Sequence, residues 1–201
     1  MTSDEALMLE FQRGSRPAFE ELFARYSGPL FGFFLRRLQR QERAEDLVQE
    51  TFLAVIRATS RYEPRSLVRT YLYGIALNLL AAERRKQTRD RDKDAPVPES
   101  TAEPSAEDPS DAVLWVRQGL DRLDPGDREV LMLREYEQLS YSEIAQLLRL
   151  PVNTVRSRLF RARIALKENL QPEIEANTKV QAKTRNSVVA IRPETAAENE
   201  A

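Results

Sequence analysis

Between Thr154 and Lys167 the sequence holds five basic residues, Arg156, Arg158, Arg161, Arg163 and Lys167, and no acid. Arginine offers a planar fork of donors that matches two phosphate oxygens or the O6/N7 pair of guanine. Turned at about 100° per residue, the segment gathers Val155, Leu159, Ala162 and Leu166 along one apolar line. The opposite face collects Arg156, Ser157, Phe160 and Arg161, while Arg158 and Arg163 flank the apolar stripe. The chemistry this suits is recognition of a polyanion, with base edges met by the outer face and phosphates by the flanks. Other chemistry is excluded by composition. With neither cysteine nor histidine, disulfides, the usual zinc ligand sets, Ser–His–Asp triads and histidine acid–base catalysis are all absent. There is no glycine-rich phosphate loop, so no cofactor is expected and the chain does not read as an enzyme.

A basic helix face alone also describes an ordinary solvated surface, so the elements that would position it decide its meaning. Upstream lies a short helix, Tyr141–Leu148, with Ile144, Leu147 and Leu148 facing inward and Ser140 placed to cap it. The break Arg149-Leu150-Pro151-Val152-Asn153 follows, and Pro151 cannot continue the preceding helix. Asn153 or Thr154 is suited to cap a final helix reaching about Leu170. This is the pattern of a helix-turn-helix. Two further short helices precede it, Ala112–Arg122 and one opened by Asp124-Pro125 that carries Val130, Leu131, Leu133 and Tyr136.

An earlier block shows the same period. Phe19, Leu22, Phe23 and Tyr26 form one amphipathic helix after Pro17, and Leu30, Phe33, Phe34 and Leu38 a second running to about Arg40. A third starts near Glu42 with Leu47, Val48, Thr51, Phe52 and Val55. A fourth, Leu67–Lys86, carries Val68, Tyr71, Leu72, Ile75, Leu79 and Leu80 after a loop over Arg61–Ser66. Between the blocks stand prolines 96, 98, 104 and 109, and Arg91–Ala112 carries seven acids against two basic residues. That composition buries too little to offset its ordering entropy. Much of the cancelling charge behind the net −1 lies there, so local positive density survives a neutral total. The expected architecture is all-α: a helical domain over 6–88, a flexible acidic linker over 89–110, a helix-turn-helix domain over 111–170, and a disordered tail over 171–201. No apolar run approaches the ~20 residues of a membrane span. The acidic N-terminus lacks the order of a signal peptide, so a cytoplasmic protein without membrane insertion is expected.

Two segments resemble the extracytoplasmic-function group of the sigma-70 family: AEDLVQETFLAVIRA, Ala44–Ala58, and LSYSEIAQLLRLPVNTVRSRLFRARIAL, Leu139–Leu166. Their order and the acidic stretch between them fit that group's plan. The resemblance implies an RNA polymerase sigma factor that binds core polymerase and recognises the −35 and −10 promoter elements. Asp46, Gln49 and Glu50, at i, i+3 and i+4, would dock on the polymerase clamp helices. Arg61, Tyr62, Arg65, Ser66, Arg69, Tyr71, Tyr73 and Asn78 would form the −10 contact set. Within it Tyr71 replaces the frequent tryptophan, and Gly74 and Leu77 stand where arginine is common. Arg156, Ser157, Phe160 and Arg161 match positions facing the −35 element, with Thr154, Arg158 and Arg163 beside them on the DNA side. Leu133-Arg134-Glu135-Tyr136 would offer a surface to the polymerase flap, and Arg149 replaces a common glycine in the turn. The group is commonly held by an anti-sigma factor.

A conventional helix-turn-helix regulator is the alternative; it would bind promoter DNA without polymerase docking. Linker length fits the two-element reading. About 22 residues, at ~3.3–3.6 Å each when extended, span roughly 70–80 Å, whereas two elements one to two DNA turns apart lie roughly 35–70 Å apart.

Overall fold

All regular structure among the described residues is helical. The computed structural model describes residues 2–64, 67–91 and 111–170. The helices are α1 (Asp4–Gln12), α2 (Arg16–Leu38), α3 (Gln41–Ala58), α4 (Val68–Arg91), α5 (Asp111–Asp121), α6 (Pro125–Glu135), α7 (Tyr141–Leu148) and α8 (Val152–Leu170), with a single 3-10 turn at Thr59–Arg61. Of the sequence expectations, the tail, nearly all of the linker, and Arg65 and Ser66 lie outside the described residues.

The helices sort into two compact units, one drawing on residues 2–91 and 132–156, the other on 111–131 and 157–170. In the first unit α2 packs against α3 and α1, and α4 closes over α3. The sequence pattern suggests two helices where α2 is continuous, because Gly28-Pro29 reads as a break. Pro29 lies inside the helix. A mid-helix proline costs about 3 kcal/mol, but the buried stripe of Leu22 and Tyr26 resumes beyond it with Leu30, Phe33 and Phe34, all fully buried. Each such side chain returns about 1.5–3 kcal/mol on burial, so the unbroken helix wins.

Helix α1 lacks a period long enough to be read from sequence. It is held by specific ties: Ser3 caps it through Ala6 N–H at 3.2 Å, and Asp4 accepts from Arg25 at 2.6 Å and from the Tyr26 hydroxyl. Glu5 reaches across to accept the Val68 N–H at 3.2 Å, so α1 caps the start of α4. Helix α4 runs past the expected end to Arg91, with Thr88 bonding back to the Arg84 carbonyl and no glycine or proline before Pro96 to stop it.

Helix α7 matches its expected bounds and closes a full capping box. Ser140 Oγ accepts the Glu143 N–H, and Glu143 accepts the Ser140 N–H. Arg149 ends it in the left-handed region, at φ 54°, and the Leu150 N–H reaches the Ala145 carbonyl at 2.9 Å. The next helix starts earlier than expected. Val152 is already helical, and Thr154 and Val155 donate to the Pro151 carbonyl. Pro151, whose fixed φ favours a helix start, therefore takes the place proposed for Asn153 or Thr154. In the second unit α5 meets α8 at Gly119. A Cβ there would lie 2.9 Å from Leu170, so the missing side chain permits close approach, and Asn169 donates to the Gly119 carbonyl at 3.0 Å.

Candidate nucleic-acid and polymerase interfaces

Helix α8 separates its faces as the projection requires. Val155, Leu159 and Ala162 are buried, and Leu166 is half-buried. Arg156, Ser157, Phe160 and Arg161 are exposed, as is Arg163, while Thr154 and Arg158 are half-buried. Phe160 is 67% exposed. A phenyl ring left this far in water on a folded helix contributes little to stability and is available to an apolar partner such as a thymine methyl.

One residue of the α6 N-terminal turn, Asp127, holds an arginine of this helix, and helical periodicity does not reveal it. Asp124 Oδ1 accepts the N–H groups of Gly126 and Asp127 at 2.9 and 3.1 Å, fixing the turn. Asp127, itself buried, takes Arg161 as a fork, with Nε on Oδ2 at 3.0 Å and Nη2 on Oδ1 at 2.9 Å. That hydrogen bond chiefly raises the Arg161 pKa above its ordinary value. The Arg158 guanidinium lies over Gly126, where a Cβ would be only 2.6 Å from its Nη1.

On α3, Asp46 and Gln49 are exposed and Glu50 is half-buried, so the expected stripe exists. Arg43 organises it, reaching Asp46 at 3.3 Å, Glu50 at 3.0 Å and Glu83 of α4 at 2.8 Å. The Glu83 carboxyl is held below its ordinary pKa first by this arginine. The same helix also exposes Leu53 and Ile56, at 47% and 46%. Both lie inside the Ala44–Ala58 motif, yet the core pattern gives them no role. An acid and amide row beside two exposed aliphatics is a surface suited to a basic helical partner with an apolar ridge.

The residues expected at the −10 element are less uniform. Arg61 and Asn78 are exposed, and Arg69 and Tyr71 are half-buried. Tyr62 and Tyr73 are buried, with the Tyr62 ring 5.4 Å from that of Tyr71. Two carboxylates from beyond α6 occupy part of this set. Glu143 accepts Arg69 at 2.7 and 2.8 Å and the Thr70 hydroxyl at 3.2 Å. Glu137 accepts Tyr73 at 3.2 Å and Arg36 at 2.9 Å. Burial, then the Glu137 charge, pushes the Tyr73 pKa up and keeps the phenol a donor. For Glu143, burial acts to raise the pKa, but the bonds from Ser140 and Arg69 outweigh it and the carboxyl is held below its ordinary value.

An all-helical chain with an arginine-faced helix-turn-helix and a separate acid and amide stripe has the makings of a two-surface transcription factor. Comparison with known proteins makes the class specific. Residues 22–90 match the model of sigma-70 region 2, and residues 114–166 that of sigma-70 region 4. The RNA polymerase sigma-H factor of Pseudomonas aeruginosa is 37% identical over 182 residues, covering 84% of this chain and 94% of that protein. CarQ of Myxococcus xanthus is 36% identical over 168 residues, covering 81% and 95%. Among solved structures, the sigma factor RpoE of Bartonella quintana, in complex with the anti-sigma factor NepR, aligns with a TM-score of 0.64 at 27% identity, covering 77% of this chain and 97% of that one. CnrH, in complex with the cytosolic domain of CnrY, gives 0.63 at 27% identity, covering 84% and 97%. The chain belongs to the extracytoplasmic-function group of the sigma-70 family: it is an RNA polymerase sigma factor acting in transcription initiation. No helix among the described residues is long and apolar enough to cross a membrane.

Proposed function

We propose that this sigma factor divides its work between two surfaces. Residues 6–88 form the part that docks on core polymerase and reads the −10 element, and 111–170 the part that reads the −35 element. The stretch 89–110 is the tether between them, and 171–201 has no assigned role. Asp46, Gln49 and Glu50, with Leu53 and Ile56 beside them, take the clamp helices. Arg156, Ser157, Phe160 and Arg161 face −35 base edges, while Thr154, Arg158 and Arg163 position the helix on phosphates. Arg134, Glu135 and Tyr136 meet the flap, above Leu133, which is buried. The observation that carries the reading is the α8 face, where two arginines, a serine and a largely exposed phenylalanine stand opposite a buried apolar stripe.

Arg61, Arg65, Ser66, Arg69, Tyr71 and Asn78 supply the −10 contacts, with the buried Tyr62 and Tyr73 supporting them from within. The protein acts in the cytoplasm and is not itself an enzyme. An anti-sigma factor holds it out of use, by analogy with the complex of the similar RpoE with NepR. The test is run-off transcription from a genomic promoter pool by core polymerase with and without the added protein. Specific transcripts that need both residues 44–58 and the α8 arginines intact are the expected result. Duplex binding without any directed initiation would favour the conventional regulator.

A further inference from the structure

One edge of the Arg161 guanidinium on α8 is already spoken for. Asp127 binds Nε and Nη2 with both carboxylate oxygens, at 3.0 and 2.9 Å. The carboxylate side chain is 9% exposed, while that of Arg161 is 60% exposed. The group is therefore anchored at its inner edge and open at its outer one. Arginine has five N–H donors. Asp127 takes two of them along the side edge, which leaves the end edge, formed by Nη1 and the outer hydrogen of Nη2, pointing away from the anchor. That pair has the spacing for guanine O6 and N7. The anchor rests on rigid backbone, since Asp124 holds the turn by two bonds at 2.9 and 3.1 Å.

We infer that Asp127 is a positioning residue for base recognition: it fixes Arg161 end-on in the major groove, so that Arg161 reads one guanine of the −35 element. This rests on the proposed −35 role of α8. Arginine on a flexible stem is as ready to take a phosphate as a base, and a phosphate contact carries no sequence information. A carboxylate at its side edge removes the swivel that a phosphate contact would use. It also offsets local positive charge, weakening non-specific attraction while leaving the guanine contact intact. Asp127 thus raises discrimination more than affinity.

The experiment uses the full chain with core polymerase to select −35 duplexes from a random pool. Each guanine of the selected site is then replaced by 7-deazaguanine, which lacks the N7 acceptor. Wild type is expected to lose about tenfold in affinity at one guanine, in the range of a single bidentate contact. In Asp127→Asn and Asp127→Ala that penalty falls below about twofold, while binding to random duplex is equal or tighter. Arg161→Ala erases the penalty at the same guanine. The inference is overturned if the Asp127 variants keep the tenfold penalty, whether specific binding is unchanged or tightened, since Asp127 would then be a bystander or a competitor of DNA. A uniform loss on all duplexes with a lowered melting temperature would overturn it too, by making the pair a structural tie. If Arg161→Ala leaves every guanine penalty and the duplex affinity untouched, the −35 role of Arg161 itself fails, a result distinct from the others.

Discussion

Replacing Glu143 by glutamine isolates what one carboxylate does for the first unit. The side chain accepts the Ser140 N–H at 2.8 Å, closing the capping box, and a bidentate contact from Arg69 at 2.7 and 2.8 Å. Glutamine keeps one acceptor oxygen and turns an amide donor toward either Ser140 or Arg69, both of which are donors. Losing a cap contact costs about 1 kcal/mol, and a bond to a charged partner about 1.5–3 kcal/mol. Arg69 is one-third exposed and regains water, which puts its share at the low end. The expected loss is about 2 kcal/mol at pH 7, read as a shift in the urea midpoint by circular dichroism. The pH dependence has a definite sign. The Glu143 pKa is lowered in the folded protein, so its contribution is full above the ordinary glutamate value of 4.5 and disappears as pH falls through the lowered folded value. Wild type and Glu143→Gln should therefore converge in strong acid. A variant within about 0.5 kcal/mol of wild type at pH 7, or a deficit that stays constant down the acid limb, would refute the reasoning.

Other outcomes follow from features already described. Leu53→Ala with Ile56→Ala should weaken core-polymerase binding by roughly tenfold, about 1.4 kcal/mol, with isolated −35 duplex binding unchanged; competition against a labelled sigma factor measures the first and fluorescence anisotropy the second. Phe160→Ala should leave the melting temperature nearly unmoved, because the ring is mostly in solvent, yet reduce −35 duplex affinity severalfold. Arg149→Gly should stabilise the protein by about 0.5–1 kcal/mol, since a non-glycine residue there holds φ 54° against the steric preference of its Cβ; urea unfolding reads the gain.

Much of this was legible in advance because it is periodic. The buried stripe of α8, the bounds of α7 and the Ser140 cap follow from helical spacing and capping chemistry. What escaped is long-range or depends on a competition between energies. Helix α1 is too short to show a period, and its ties to Arg25, Tyr26 and Val68 cross between elements. Pro29 reads locally as a stop; only the burial of Leu30, Phe33 and Phe34 overrules it. Asp127 looks like a routine first-turn acid beside a helix dipole, and nothing in its spacing points to an arginine 34 residues away. Leu53 and Ile56 sit in a recognisable motif, but their exposure depends on which faces of α3 its neighbours cover.

Gly126 gives experimenters a fine adjustment on the arginine face of α8. Its single hydrogen leaves the space that the Arg158 guanidinium occupies, and an added Cβ would meet the far end of that flexible side chain, with the Asp124 carboxylate 3.3 Å off. Alanine is also the better helix former, by about 1 kcal/mol in a helix interior and by less in the first turn, where Gly126 stands. Gly126→Ala is thus expected to keep or raise the melting temperature while shifting one arginine tip by about an ångström. Few substitutions move a single arginine tip on a helix face without deleting a group or altering charge. A promoter-binding profile of this variant, compared with wild type, would show how finely the reading of sequence depends on where an arginine rests.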